Sequence, residues 1–156
     1  MANAEAAALF ARHHRDVYRF LARMTGRRDL ADDLSQEVFL RAVQAIEAGH
    51  GSVHHERGWI FAVARHLLTD YHRREQRRLS LEVGDAEPVV EAGQQLAVEL
   101  AEALARLPVA DREVFLLQEV GGLSYEQIAD ACGCSAEGVR ARLYRTRVAL
   151  RGMLSL

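Results

Sequence analysis

The sequence predicts an all-α protein of two small helical domains joined by a flexible acidic linker, the C-terminal domain a helix-turn-helix. Three observations predict it. Apolar residues recur at helical spacing through most of the 156 residues, and no segment alternates as a strand does. Residues 79–93, Leu-Ser-Leu-Glu-Val-Gly-Asp-Ala-Glu-Pro-Val-Val-Glu-Ala-Gly, break that rhythm with acids, Gly and Pro, which marks a boundary. The last two short helical patterns, residues 124–131 and 135 onward, are joined by Cys132-Gly133-Cys134, a tight turn. The domains are therefore expected at 1–78 and 94–156.

Each element has its own signal. A first helix over about residues 4–25 places Phe10, His14, Val17, Tyr18 and Leu21 on one stripe, and Gly26 ends it. A second, about 29–48, brings Leu30, Leu34, Val38, Val43 and Ile46 near one face. Asp29, Asp32 and Asp33 occupy its first turns, where the helix dipole favours negative charge. After a loop at 49–56, a third helix over 57–78 is expected to bury Ile60, Val63, Ala64, Leu67 and Tyr71. Residues 72–78 carry no apolar stripe and read as a solvated basic tail. A fourth helix, 94–106, stops at Leu107-Pro108, and a fifth, 109–120, stops at Gly121-Gly122. Ser124 with Gln127 forms a capping box for the sixth, and Ser135 is a natural N-cap for the seventh.

Charge is strongly segregated beneath a net of −2. Residues 1–78 carry +3, residues 79–137 carry −10 and residues 138–156 carry +5. Two basic zones around an acidic one point to two separate nucleic-acid contacts. Every basic residue besides histidine is arginine, a bias that codon usage in a GC-rich genome explains more than chemistry does. No apolar run is long enough to span a membrane and no signal peptide is present, so a cytoplasmic location without membrane insertion is expected.

The last helix carries the chemistry. Val139, Leu143, Thr146, Leu150 and Leu154 form an inward stripe, leaving Glu137, Arg140, Ala141, Tyr144 and Arg145 outward near its start. A recognition helix reads bases with its first turns, while later arginines mostly hold phosphates. The third helix mixes Trp59, Phe61, His66 and Tyr71 with Arg57, Arg65, Arg73 and Arg74, a set suited to unstacked bases. Periodicity alone favours Trp59 and Tyr71 as core residues. His13, His14, His50, His54 and His55 lack partners at metal-ligand spacing, so no metal site is expected. Cys132 and Cys134 would sense oxidants only if a helix N-terminus acidified them; small turn residues are the simpler reading. No catalytic constellation or cofactor motif is present.

Taken in order, these residues resemble the extracytoplasmic-function sigma factors of bacterial RNA polymerase, nearly end to end. Tyr18-Arg-Phe-Leu21 through Gly26 is similar to the family's opening helix, and residues 32–41, Asp-Asp-Leu-Ser-Gln-Glu-Val-Phe-Leu-Arg, to its polymerase-binding helix. Residues 59–74 are similar to its −10-element helix, and residues 107–147 to its −35-reading domain. The resemblance implies that Asp33, Gln36, Glu37, Phe39 and Arg41 dock on core polymerase. It implies −10 contacts by loop 49–56 and by Arg57, Trp59, Arg65, His66, Asp70, Tyr71, Arg73 and Arg74. It implies −35 contacts by Ser124, Arg140, Ala141, Arg142, Tyr144, Arg145 and Arg147. The linker would thread toward the polymerase active-site channel, and the protein would use no cofactor and catalyse nothing. His66 stands where the family usually has Asn, and Gly138 where it usually has Thr. The chain ends soon after the recognition helix, so regulation is expected from outside, by an anti-sigma factor. A stand-alone helix-turn-helix regulator would leave the Asp33–Arg41 and Trp59–Arg74 blocks without a job.

Overall fold

A computed structural model describes residues 2–49, 55–79 and 95–154. Seven α-helices appear, and among the described residues there is no strand. They are α1 (Ala2–Thr25), α2 (Arg28–Glu47), α3 (Glu56–Leu79), α4 (Gln95–Arg106), α5 (Val109–Glu119), α6 (Tyr125–Cys132) and α7 (Ala136–Leu154). The expected linker lies outside the described residues from 80 onward, as do residues 50–54 of the first loop.

Helices α1 to α3 form the N-terminal unit. Val17, Phe20, Leu21, Val38, Ile60 and Leu67 fill its interior, and the Phe20 and Phe61 rings meet edge-on with centroids 5.7 Å apart. Each fully buried side chain of this size contributes about 1.5–3 kcal/mol, so these contacts set the bundle's stability. The stripe expected on α1 holds at Val17 and Leu21, which are buried, and differs by one residue in the first turns. Leu9 and His13 are buried, whereas Phe10 and His14 are exposed and stack on each other with centroids 4.4 Å apart. His13 enters the interior because the Glu56 carboxylate meets its Nε2 at 2.7 Å. On α3, Phe61 and Leu68 are buried, and the expected Val63 and Tyr71 only partly.

Helices α4 to α7 form the C-terminal unit around Leu104, Leu107, Val114, Leu117, Ile128, Val139 and Leu143. Arg112 closes the end of α4: its guanidinium donates to the carbonyls of Leu104 (2.8 Å), Ala105 (3.2 Å) and Leu107 (3.1 Å). It thereby satisfies acceptors that a helix end leaves orphaned. A fourth bond reaches Met24 O of α1 at 3.0 Å and ties the two units together. The α5–α6 turn requires glycine: a Cβ on Gly121 would lie 2.5 Å from Leu117 O, and Gly122 has φ +64°. Buried side chains of the two units form one continuous apolar cluster.

Candidate nucleic-acid interface

The helix-turn-helix is α6, a turn at Gly133 and α7. The Ser124 hydroxyl accepts the Gln127 N–H at 3.1 Å while the Gln127 side chain accepts the Ser124 N–H at 2.9 Å, so the capping box is complete. Gly133 ends α6 in the left-handed region at φ 66°. Ser135 starts α7, its hydroxyl accepting the Gly138 N–H at 3.0 Å. Val139, Leu143, Thr146 and Leu150 face inward, and Glu137, Arg140, Ala141, Tyr144 and Arg145 face outward. Tyr144 is 72 % exposed and Val148, one turn on, is exposed as well.

Flanking side chains orient the arginines of α7. The Arg140 guanidinium lies over the Tyr125 ring, 5.7 Å from its centroid. Arg145 is held by Asp111 of α5, whose carboxylate accepts from Nη2 at 3.1 Å. Arg147 donates to the Gln118 side chain, and Arg142 is half-buried at the helix flank. Ser124 is exposed with its hydroxyl engaged in the cap.

The basic side chains of α3 divide between two faces. At 100° per residue, Arg57, Phe61, Arg65, Leu68 and His72 share one side, and Trp59, His66, Asp70 and Arg73 the other. The first side is turned to the C-terminal unit. Arg57 donates to the carbonyls of Gly121 and Val120 and pairs with Asp16 at 2.6 Å. Arg65 pairs with Glu113 of α5, and the Cys132 thiol donates to the same carboxylate at 3.4 Å. On the second side His66, Arg73 and Arg74 are exposed, Asp70 and Trp59 half-buried; Tyr71, also half-buried, lies between the two faces. Two residues expected together with the others thus face the partner unit.

On α2, Asp33, Gln36, Glu37, Leu40 and Arg41 recur at i, i+3, i+4, i+7 and i+8 and share an exposed face. Phe39 is not on it. Only 8 % exposed, it packs under Phe10 with ring centroids 5.0 Å apart. The large apolar groups at this surface are Leu40 (52 % exposed) and Phe10 (48 %). The sequence held no signal that singled out Leu40: neighbours on a helix are 100° apart and can both be buried, as Val38 and Phe39 are.

Cys132 is the reverse of an acidified thiol. Burial, then the Glu113 carboxylate, push it up to about 12. His55 is exposed and His13 is paired with Glu56, while His50 and His54 lie outside the described residues. Among the described residues no three His, Cys, Asp or Glu side chains gather as a metal site, and no helix is long and apolar enough to cross a membrane.

Comparison with known proteins matches this geometry in both halves. The family profile Sigma-70 region 2 matches residues 9–78, and Sigma-70, region 4 matches residues 97–150. The chain is 36 % identical over 141 residues to the ECF RNA polymerase sigma factor SigC of Mycobacterium tuberculosis, covering 86 % of this chain and 75 % of that one. It is 33 % identical over 141 residues to the ECF sigma factor EcfG of Rhodopseudomonas palustris, covering 86 % and 77 %. Among solved structures, the fold is similar to the sigma factor RpoE of Bartonella quintana, crystallised with the anti-sigma factor NepR. That match has TM-score 0.78 and 22 % identity, and covers 94 % of each chain. CnrH, solved with the cytosolic domain of CnrY, matches with TM-score 0.73 and 23 % identity over 98 % of this chain and 89 % of that one. With both profiles in order and relatives of this identity along most of its length, the chain belongs to the extracytoplasmic-function sigma factors, which direct RNA polymerase to initiate transcription at specific promoters.

Proposed function

We propose a division of labour in which residues 1–78 hold core polymerase and the −10 element and residues 94–156 read the −35 element. The core-binding surface is the α2 face of Asp33, Gln36, Glu37, Leu40 and Arg41, extended by Phe10 and backed by Phe39. The −10 surface is the outer side of α3, with Trp59, His66, Asp70, Tyr71, Arg73 and Arg74. The −35 surface is the outward start of α7, where Arg140, Ala141, Tyr144 and Arg145 meet base edges. Arg142 and Arg147 flank it on phosphates. The observation that carries this reading is the bare outward face of α7 behind a fully capped helix-turn-helix.

Arg57 and Arg65 join the −10 contacts only after the C-terminal unit releases them. The arrangement described is then the resting one, and engagement of both promoter elements separates the units. An anti-sigma factor that binds this closed form keeps the protein silent; solved relatives with such partners support that part. The protein works in the cytoplasm, supplies specificity and performs no chemistry itself.

Transcription in vitro with purified core polymerase on a pool of genomic promoter fragments tests the reading. New, sequence-clustered starts are expected with the protein and not without it. Arg145→Ala should lower use of −35-dependent promoters at unchanged core affinity, and Leu40→Ala should lower core affinity at every promoter. Equal loss of core affinity in both variants would refute the division.

A further inference from the structure

Behind the recognition helix lies a buried carboxylate contributed by a helix outside the helix-turn-helix. Asp111 sits in the first turn of α5, with its side chain 9 % exposed. Removing a carboxylate from water to this extent is costly unless a cation answers it. The answering group is Arg145, on a different helix and 34 residues away. Both carboxylate oxygens take part: Oδ1 accepts from Nη2 at 3.1 Å and Oδ2 from Nε at 3.4 Å. The arginine itself stays 64 % exposed.

This geometry fixes what Arg145 can offer to DNA. A guanidinium has five N–H donors in one plane. The bonds to Asp111 use Nε–H and one N–H of Nη2. The three that remain, two on Nη1 and one on Nη2, form the far edge of the fork and face away from the carboxylate. That edge matches the bidentate contact arginine makes with O6 and N7 of guanine. Held side-on by a buried partner, the plane cannot swing freely toward whichever phosphate is near. Arg140, on the opposite flank, lies over the Tyr125 ring and, among the described residues, donates no hydrogen bond from its fork.

We propose that Asp111 is a positioning residue for base readout. It fixes the guanidinium plane of Arg145 so that one −35 base pair is discriminated, and its charge suppresses use of Arg145 as a sequence-independent phosphate anchor. The inference rests on the assignment of α7 to the −35 element.

The test uses holoenzyme assembled from full-length protein and core polymerase, with promoters randomised at each −35 position. Arg145→Ala should flatten one position. Asp111→Asn should reduce discrimination at that same position about tenfold and leave the others unchanged. Added to Arg145→Ala, it should change nothing further. Holoenzyme binding to non-promoter duplex should strengthen with Asp111→Asn, its dependence on salt steepening by about one ion, because the released Arg145 then neutralises one more phosphate. A loss of merely structural support moves these readouts together and downward. If Asp111→Asn lowers the urea midpoint, Asp111→Ser repeats the measurement. Uniform weakening at all positions, or an unchanged profile where Arg145→Ala flattens one, overturns the proposal alone. If Arg145→Ala flattens no position, the −35 assignment of Arg145 fails and the proposal falls with it.

Discussion

Phe39 and Leu40 are neighbours in sequence with opposite fates. Phe39 is packed under Phe10 and against the bundle, so Phe39→Ala should destabilise the fold by about 3 kcal/mol, as large-to-small core changes do. Leu40 projects from the face it shares with Asp33 and Arg41, so Leu40→Ala should leave the urea midpoint in place and weaken core binding. Urea unfolding and core pull-down on both variants distinguish the two roles. Cys132 makes a second case at this scale. Only the thiolate is nucleophilic, and a thiol pushed up to about 12 holds very little of it near neutral pH. Iodoacetamide at pH 8 should label Cys132 far more slowly in the folded protein than in urea, read by peptide mass spectrometry.

The start of α3 is anchored by charge to the middle of α1. Glu56 meets Arg12 and His13, and the Arg12 guanidinium, then His13, bring its carboxyl down from 4.5 to about 2. A carboxylate lowered on folding stabilises the protein above its unfolded value, and that stability is lost as pH falls. Acid titration should therefore erode the wild type between pH 4.5 and about 2, an erosion that Glu56→Gln should lack. In the second unit the capping box is the exposed counterpart. Ser124→Ala removes one of its two bonds and should cost about 1 kcal/mol in urea unfolding. That loss falls on helix α6, whose position sets the angle at which α7 is presented.

At the scale of the whole molecule, the decisive contact is α3 against the C-terminal unit. It holds the Arg65–Glu113 pair and the Arg57 bonds to the turn carbonyls, and the Arg112 bond to Met24 O of α1 lies beside it. Partly exposed pairs and bonds of this kind contribute about 1 kcal/mol each. His72 makes the contact pH-sensitive. Burial, then Arg112, hold its imidazole below the usual 6.5, against a smaller opposing pull from Glu113. An imidazole lowered by packing resists protonation, so the packed form loses stability relative to the open one as pH falls below about 6.5. Small-angle scattering from pH 8 to 5.5 should show the radius of gyration rising, and His72→Gln should blunt the rise.

The sequence by itself determined the all-helical class, the order of the elements, the capping box and the outward arginine face of α7. These depend on neighbours within a turn or two, where periodicity, caps and glycine act. Tertiary structure alone decided the partners of the arginines. Arg65 finds Glu113 across 48 residues, Arg57 finds Asp16 across 41 and Arg145 finds Asp111 across 34. No local pattern encodes such a pair, because it exists only once the helices have docked. The same docking chose Phe39 for burial over Phe10 and divided the basic residues of α3 between an outward face and a face for the other half of the molecule.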